Sequence, residues 1–387
     1  MDRVSSSRKK VFAAFAGEEI LRESGRLPHF ALYPFAAANY EVRVFNSLRQ
    51  RLTEFYKCRE ANLPEVARLT LSLANLKFTD HIPEDPENFI YLFDRPLAAA
   101  RRLPWRKRVQ IRFDLFSPYR LRAPVIAPYS VHPAQTEWLR AGHLVALRKR
   151  PRRMRVLFAG DSNGYVRNRI RYPGPKLPRL EILNTLRTRI PDDVISLTSG
   201  QEIARLCEDG VVNKFVLSDS GTGIAPAQWL PTMARADFFL CAPGIVMPMC
   251  HNLVEAMSVG TIPIVSYPEW LQPNLKHLTN CIVFGDRDDL VAKIRMALSM
   301  SESKIAALRA NVVDYFDCYM RSEAVVRALE DREERNVTLL LYSEFNVARN
   351  SARLNRNSIL MKGVESDGLL RWVGKLADRH LDRRSLP

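Results

Sequence analysis

Residues 236–266 read ADFFLCAPGIVMPMCHNLVEAMSVGTIPIVS, and this stretch decides the fold class of the chain. An apolar run leads into Pro243 and Gly244, a loop precedes a short helical pattern that Gly260 closes, and a β-branched run follows at once. Apolar strands that alternate with helices in this way indicate an α/β domain built on a parallel sheet.

The same alternation extends on both sides of this stretch. In the first half, strands are predicted at 30–35, 88–94, 109–116 and 124–130, and helices at 40–51 and 64–76. In the second half, strands are predicted at 156–159, 193–197, 213–217, 237–243, 262–266 and 281–285, and helices at 180–189, 251–260 and 289–299. Asp286 is the expected N-cap of the last helix.

The length of 387 residues predicts two domains, because single hydrophobic cores stop growing at roughly 250–300 residues. We expect two Rossmann-like doubly wound α/β domains that face a cleft. The predicted division is an N-terminal domain over 1–145, a basic linker over 146–153, a second domain over 154–320, and a C-terminal helical segment with a tail over 321–387.

The summed charge of the chain favours an anionic partner, although solvated surface charge is the commoner explanation for any single basic cluster. The formal net charge is +16 and the isoelectric point is near 9.8, so nucleic acid, anionic lipid and phosphate-bearing substrates all fit. The six cysteines show no C-x-x-C pair and are interpreted as reduced thiols. Without an apolar run of about 20 residues or a signal-peptide pattern, we expect a cytoplasmic protein that can associate peripherally with a membrane.

Three residues of the 236–266 stretch suit the binding of a nucleotide. Gly244 lets the backbone approach a ligand closely, and the helix that begins near His251 directs free N–H groups toward a phosphate. Glu255 can accept hydrogen bonds from ribose hydroxyls; the alternative is a carboxylate on an ordinary helix surface.

Three motifs carry a family resemblance: CAPG at 241–244, NLVEA at 252–256 and GTIPIVS at 260–266. In these motifs the sequence resembles the exostosin-like glycosyltransferases of the two-Rossmann-domain (GT-B) architecture. The resemblance covers about 150 residues. It implies that the second domain binds a nucleotide-sugar donor through Pro243, Gly244, Asn252 and Glu255, and that the first domain lies on the acceptor side. Asn252 stands where this family usually has an arginine, so His251 is the expected phosphate contact. Met247 stands where retaining enzymes have a second acid, which disfavours a retaining mechanism.

A second group of residues follows the strand at 156–159. Gly160 and the nearby Gly164 free the backbone to curl, and Arg167 and Arg169 can pair with phosphate oxygens. A clamp for the donor pyrophosphate is the functional interpretation, and solvated surface arginines are the alternative.

An inverting transfer needs a base that removes the proton of the acceptor hydroxyl. Asp114 and His132 follow apolar strands of the first domain and are the candidate bases, although a turn or cap role is the commoner use of such residues. No D-x-D motif follows a strand, so we expect neither a metal nor another cofactor.

The predicted reaction moves a sugar from a nucleotide-sugar to an anionic glycan or a lipid-linked saccharide. Two other classes stay open: a nucleic-acid-binding protein that uses the basic linker and tail, and an inactive partner subunit that binds sugar nucleotides. The first alternative is disfavoured because no nucleic-acid-binding module is present and no aromatic residues alternate with the basic runs.

Overall fold

The computed structural model describes residues 8–117, 124–129, 131–162, 176–208, 210–219, 223–354 and 358–362. The chain forms two compact units. The first unit comprises Met1–Pro128, Met320–Asn346 and Asn357–Pro387, and the second comprises Tyr129–Tyr319 and Val347–Arg356.

Strands and helices are numbered in chain order. The strands are β1 (Lys10–Ala14), β2 (Glu41–Phe45), β3 (Leu76–Thr79), β4 (Phe89–Phe93), β5 (Lys107–Arg112), β6 (Val125–Ile126), β7 (Met154–Ala159), β8 (Val194–Ser196), β9 (Val212–Ser218), β10 (Ala236–Leu240), β11 (Ile262–Val265), β12 (Ile282–Val283) and β13 (Asn336–Leu340). The helices are α1 (Arg26–Ala37), α2 (Ser47–Tyr56), α3 (Glu65–Leu71), α4 (Ala141–Arg148), α5 (Arg179–Arg189), α6 (Gly200–Leu206), α7 (Pro226–Met233), α8 (His251–Ser258), α9 (Arg287–Leu298), α10 (Glu302–Tyr315), α11 (Ser322–Glu330), α12 (Glu344–Asn350) and α13 (Ile359–Lys362).

Each unit contains one parallel sheet, so the predicted class of two α/β domains is confirmed. In the first unit the strand order is β3-β2-β1-β4-β5-β13-β6, and in the second it is β12-β11-β10-β7-β9-β8. The chain reverses its direction of growth between β1 and β4 in the first sheet, and between β7 and β10 in the second. These reversals are the topological switch points at which open α/β sheets bind ligands.

Aromatic side chains pack on one face of the first sheet. Phe12 stacks on Trp105 with ring centroids 5.6 Å apart, and Tyr91 lies 4.7 Å from the same indole. Both rings and the indole are fully buried. The segment between β4 and β5 therefore folds over this sheet face and supplies its largest core side chain.

The C-terminal part of the chain completes the first sheet, because β13 inserts between β5 and β6. Glu330, at the end of α11, accepts two hydrogen bonds from Arg106 at 2.8 and 2.9 Å and one from Tyr40 at 2.5 Å. The Lys107 ammonium donates to the carbonyls of Leu329, Glu330 and Arg332. The predicted helical segment over 321–387 thus begins as an integral part of the first unit, and residues 363–387 lie outside the described residues.

Two predicted elements of the first half are wrong. Residues 30–35, predicted as a strand, lie in α1, and residues 40–51, predicted as one helix, contain β2 and the first half of α2. Helix α1 is buried over most of its surface, so its apolar residues show neither helical nor alternating periodicity. The sequence pattern does not predict the first strand, β1, because this strand follows a run of basic residues.

The predicted basic linker is also different in the structure. Residues 141–148 form α4, and the second unit begins at Tyr129, so the stretch before residue 146 belongs with the second unit. Arg155 and Arg309 both pair with the buried Asp237.

The structure was also searched for membrane-spanning helices. Within the described ranges, no helix is both long enough and apolar enough to cross a membrane.

Candidate functional site

The switch point of the second sheet brings together two of the predicted loops. Gly160 follows β7 directly, and Pro243 and Gly244 follow β10, which is the neighbouring strand. A Cβ atom added to Gly160 would lie 3.7 Å from the Asn252 amide nitrogen. Gly160 and the start of α8, which belong to separate motifs of the sequence, are therefore neighbours at one sheet edge.

Helix α8 is fixed at its C-terminal end. Gly260 has φ +73°, which favours glycine, and its N–H donates to the Met257 carbonyl at 3.1 Å. Arg148 donates to the Ser258 carbonyl at 2.8 Å, and Arg152 donates to the Val259 carbonyl at 2.8 Å. Two arginines of the basic run thus satisfy the last carbonyls of α8, where a positive charge is favourable.

Glu255 lies in the middle of α8 and is fully buried. Its Oε2 accepts a hydrogen bond from the Trp229 indole at 2.6 Å, and its Oε1 accepts one from the His132 backbone N–H at 2.8 Å. The carboxylate therefore joins α7, α8 and the segment that contains His132. Its predicted contact with a ribose stays a prediction.

His132 and His251 lie side by side in the second unit, with ring centroids 5.8 Å apart. His132 caps the following helical turn, because its Nδ1 accepts a hydrogen bond from the Ala134 N–H at 3.3 Å. The sequence predicts His132 in the first domain. The structure instead places this imidazole beside the predicted donor-binding residues His251 and Glu255.

Asp114, the other candidate base, lies in the first unit just after β5. Its Oδ2 accepts hydrogen bonds from Arg112 at 2.8 Å and from the Ser117 hydroxyl at 2.9 Å. The carboxylate therefore stabilises a local turn, and its role as a base stays a prediction.

The loop between β10 and α8 turns back on itself at Gly244. The Gly244 N–H donates to the Pro248 carbonyl at 3.3 Å, and a Cβ atom at Gly244 would lie 2.5 Å from the Met247 carbonyl oxygen. No flexible side chain can move to relieve this contact, because the obstructing atom belongs to the backbone. Glycine is therefore required here by the loop itself.

We expect Gly244→Ala to lower the thermal stability of the protein and to displace the loop, at a cost of about 1–3 kcal/mol for the added methyl group. A melting curve followed by circular dichroism measures the loss. Gly142→Ala is the matched control, because a Cβ atom at Gly142 meets nothing within 4 Å and this residue lies in α4. Equal melting temperatures for the two variants would contradict the steric explanation.

The predicted pyrophosphate clamp falls mostly outside the described residues, which omit Arg167 and Arg169. Among its described neighbours, Arg179 donates to the Asp161 carbonyl at 2.6 Å, and the Ser162 hydroxyl donates to Asp219 at 3.2 Å. The loop after Gly160 is thereby attached to α5 and to the end of β9.

The sequence pattern does not indicate two groups that contact the elements of this site. Nothing local distinguishes Trp229, whose indole binds a carboxylate 26 positions away. Lys176 binds the Ser266 carbonyl at the end of β11 and forms a salt bridge with Glu269 at 3.0 Å. Within the described ranges, no three His, Cys, Asp or Glu side chains come together as a metal site would require.

No family model matches the chain, and no curated protein is found as a relative. Several solved structures align with most of it. HepE from Anabaena, in complex with UDP, is 14% identical, with 84% of this chain and 98% of that chain covered and a TM-score of 0.39. A glycosyltransferase from Rickettsia africae is 8% identical, with 84% and 97% covered and a TM-score of 0.41. WaaG, a glycosyltransferase involved in lipopolysaccharide biosynthesis, is 14% identical, with 83% and 98% covered and a TM-score of 0.33.

Proposed function

We propose that this chain is a glycosyltransferase that binds a nucleotide-sugar donor at the switch point of the second sheet. One observation carries the proposal: Gly160, after β7, lies against Asn252 in the first turn of α8. A loop that follows a parallel strand and faces the N-terminus of a helix is a general site for a phosphate group.

The proposed donor contacts follow from the position of each residue. The first N–H groups of α8 and the side chains of His251 and Asn252 would bind the diphosphate, because the N-terminus of a helix attracts negative charge. Pro243 and Gly244 shape the loop beside it. Glu255 positions the site by holding Trp229 and His132, and a ribose contact would require the carboxylate to exchange one of these partners.

The reaction we propose is inverting and needs no metal. A base takes the proton of the acceptor hydroxyl, the oxygen attacks the anomeric carbon, and the bond to the nucleotide diphosphate breaks. The helix N-terminus stabilises the negative charge on the leaving diphosphate. His132 is the better candidate for the base, because it lies beside His251, whereas Asp114 is held in a turn by Arg112.

The acceptor we propose is an anionic glycan or a lipid-linked saccharide, which suits the net charge of +16. Nucleic-acid binding through the basic linker is less well supported, because Arg148 and Arg152 are used inside the second unit. An inactive partner subunit would bind the same donor without turnover, and the experiment below distinguishes it.

A thermal-shift screen against UDP, GDP, CMP, dTDP and their sugar conjugates tests the proposal. A nucleotide present at about 100 times its dissociation constant adds about 2.7 kcal/mol, so we expect the melting temperature to rise by about 5–10 °C with one nucleotide class. The shift should be lost in His251→Gln and Asn252→Ala.

His81→Gln serves as the matched control, because His81 is exposed and lies in the first unit. A shift that survives both α8 variants would place the nucleotide elsewhere, and no shift with any nucleotide would overturn the proposal. Binding without hydrolysis or transfer of the donor sugar would identify the inactive subunit instead.

A further inference from the structure

A cavity of about 560 Å³ lies in the first unit. Its floor is the sheet face formed by β4, β5 and β13, where Phe93, Gln110 and Thr338 occupy aligned positions of the three strands. The segment after β4, with Arg101 and Arg102, forms its rim. The volume is in the range of sites for small molecules.

The charge of this cavity is strongly positive. Four arginines line it, at positions 101, 102, 108 and 332, against one acidic residue among the described lining residues, Glu334. None of the four arginines forms a salt bridge within the described part of the chain. Elsewhere in the same unit, Arg106 is neutralised by Glu330 at 2.8 Å. The lining arginines thus keep their charge available for a ligand.

Arg108 is held in place by two contacts, but not all of its N–H groups donate a hydrogen bond. Its guanidinium lies 5.5 Å from the centre of the Phe93 ring, and one terminal nitrogen donates to the Arg101 carbonyl at 2.9 Å. Its buried Nε has no hydrogen-bond partner among the described residues. The terminal N–H groups of this guanidinium that donate to no acceptor among the described residues can pair with an anionic ligand.

We propose that this cavity binds a small phosphorylated saccharide. The arginines would bind the phosphate groups, since guanidinium groups match phosphate oxygens in geometry and charge. The neutral side chains of Gln110, Asn336 and Thr338 offer hydrogen bonds to sugar hydroxyls. The proposal concerns the first unit alone and does not depend on the donor site proposed for the second unit.

Isothermal titration calorimetry with glucose 1,6-bisphosphate tests the site in the full-length chain, with glucose and inorganic phosphate as comparison ligands. We expect the bisphosphate to bind, its affinity to fall with added salt, and glucose not to bind. Arg101→Gln combined with Arg102→Gln should weaken binding at least about tenfold. Glu334→Gln should strengthen the binding of the bisphosphate, because the substitution removes a negative charge that repels its phosphate groups.

Arg59→Gln combined with Arg68→Gln is the matched control, because it removes the same charge from exposed arginines of the first unit outside the cavity. Equal weakening by both double variants would reduce the effect to net charge and overturn the proposal. Equal affinity for inorganic phosphate, tighter cavity-dependent binding of a single-stranded DNA oligonucleotide, or no binding at all would also overturn it. If the thermal shift caused by a nucleotide is the same in the wild type and in the double variant Arg101→Gln with Arg102→Gln, the donor site and the cavity are separate sites.

Discussion

Glu255→Ala is expected to lower the melting temperature of the second unit by about 10 °C. The substitution removes both acceptors of a fully buried carboxylate and leaves the Trp229 indole and the His132 N–H without their partners. A hydrogen bond to a charged group contributes about 1.5–3 kcal/mol, so two of them account for about 3–6 kcal/mol. At about 2–4 °C per kcal/mol for a unit of this size, the loss is easily measured by calorimetry.

A double-mutant cycle isolates the bond between Glu255 and Trp229. It compares Glu255→Gln, Trp229→Phe and the double variant. An amide at position 255 can turn its nitrogen toward the indole donor, and phenylalanine removes that conflict, so the two effects should be less than additive. Glu208→Ala is the control, because Glu208 is an exposed acid of the second unit. If Glu255→Ala and Glu208→Ala melt alike, Glu255 is not the internal link that the structure shows.

Glu330→Gln is expected to destabilise the first unit and to make it less sensitive to acid. Burial alone would raise the pKa of Glu330, but hydrogen bonds from Arg106 and Tyr40, together with the positive charges of Arg106 and Lys9, lower the pKa to about 2. A carboxyl group whose pKa is lowered by folding stabilises the folded state above pH 4.5, and this contribution disappears as the pH falls toward 2. The difference corresponds to about 3 kcal/mol.

Urea unfolding of the first unit at pH 7, 4.5 and 2.5 measures this contribution. The wild type should lose more stability than Glu330→Gln between pH 4.5 and 2.5, because the variant lacks the titrating group. Glu87→Gln is the control, since Glu87 is exposed, and it should follow the wild type at every pH. Parallel curves for the wild type and Glu330→Gln would show that Glu330 is not paired in solution.

Glu255 and Glu330 have the same structural role, because each carboxylate joins distant elements of its own unit. Glu330 attaches the C-terminal part of the chain to the first sheet, and Glu255 attaches α8 to α7 and to the segment around His132. In the second unit this attachment places His132 beside His251. The stability of the second unit and the geometry of the proposed site therefore depend on the same side chain.

The sequence by itself determined the features that depend on local pattern. The strands and helices predicted over residues 154–298 are present close to their predicted bounds, although α6 was not predicted, and Gly260 ends α8 as predicted. Asp286 caps α9 through a hydrogen bond to the Asp289 N–H at 2.9 Å. Each of these features is set by residues within a few positions of one another, so periodicity and capping chemistry suffice to predict them.

Only the tertiary structure decided which distant residues meet. The bonds of Glu255 join residues 26 and 123 positions apart, and the bonds of Glu330 to Arg106 join residues 224 positions apart. The same holds for the insertion of β13 beside β5 and for the arginines that bind the end of α8. Side chains of one type can lie in solvent, in an ion pair or at a helix end, and packing between distant elements selects among these environments. The sequence therefore specified most elements of the second unit, while the tertiary structure decided the strand order, the switch points and the partner of each charge.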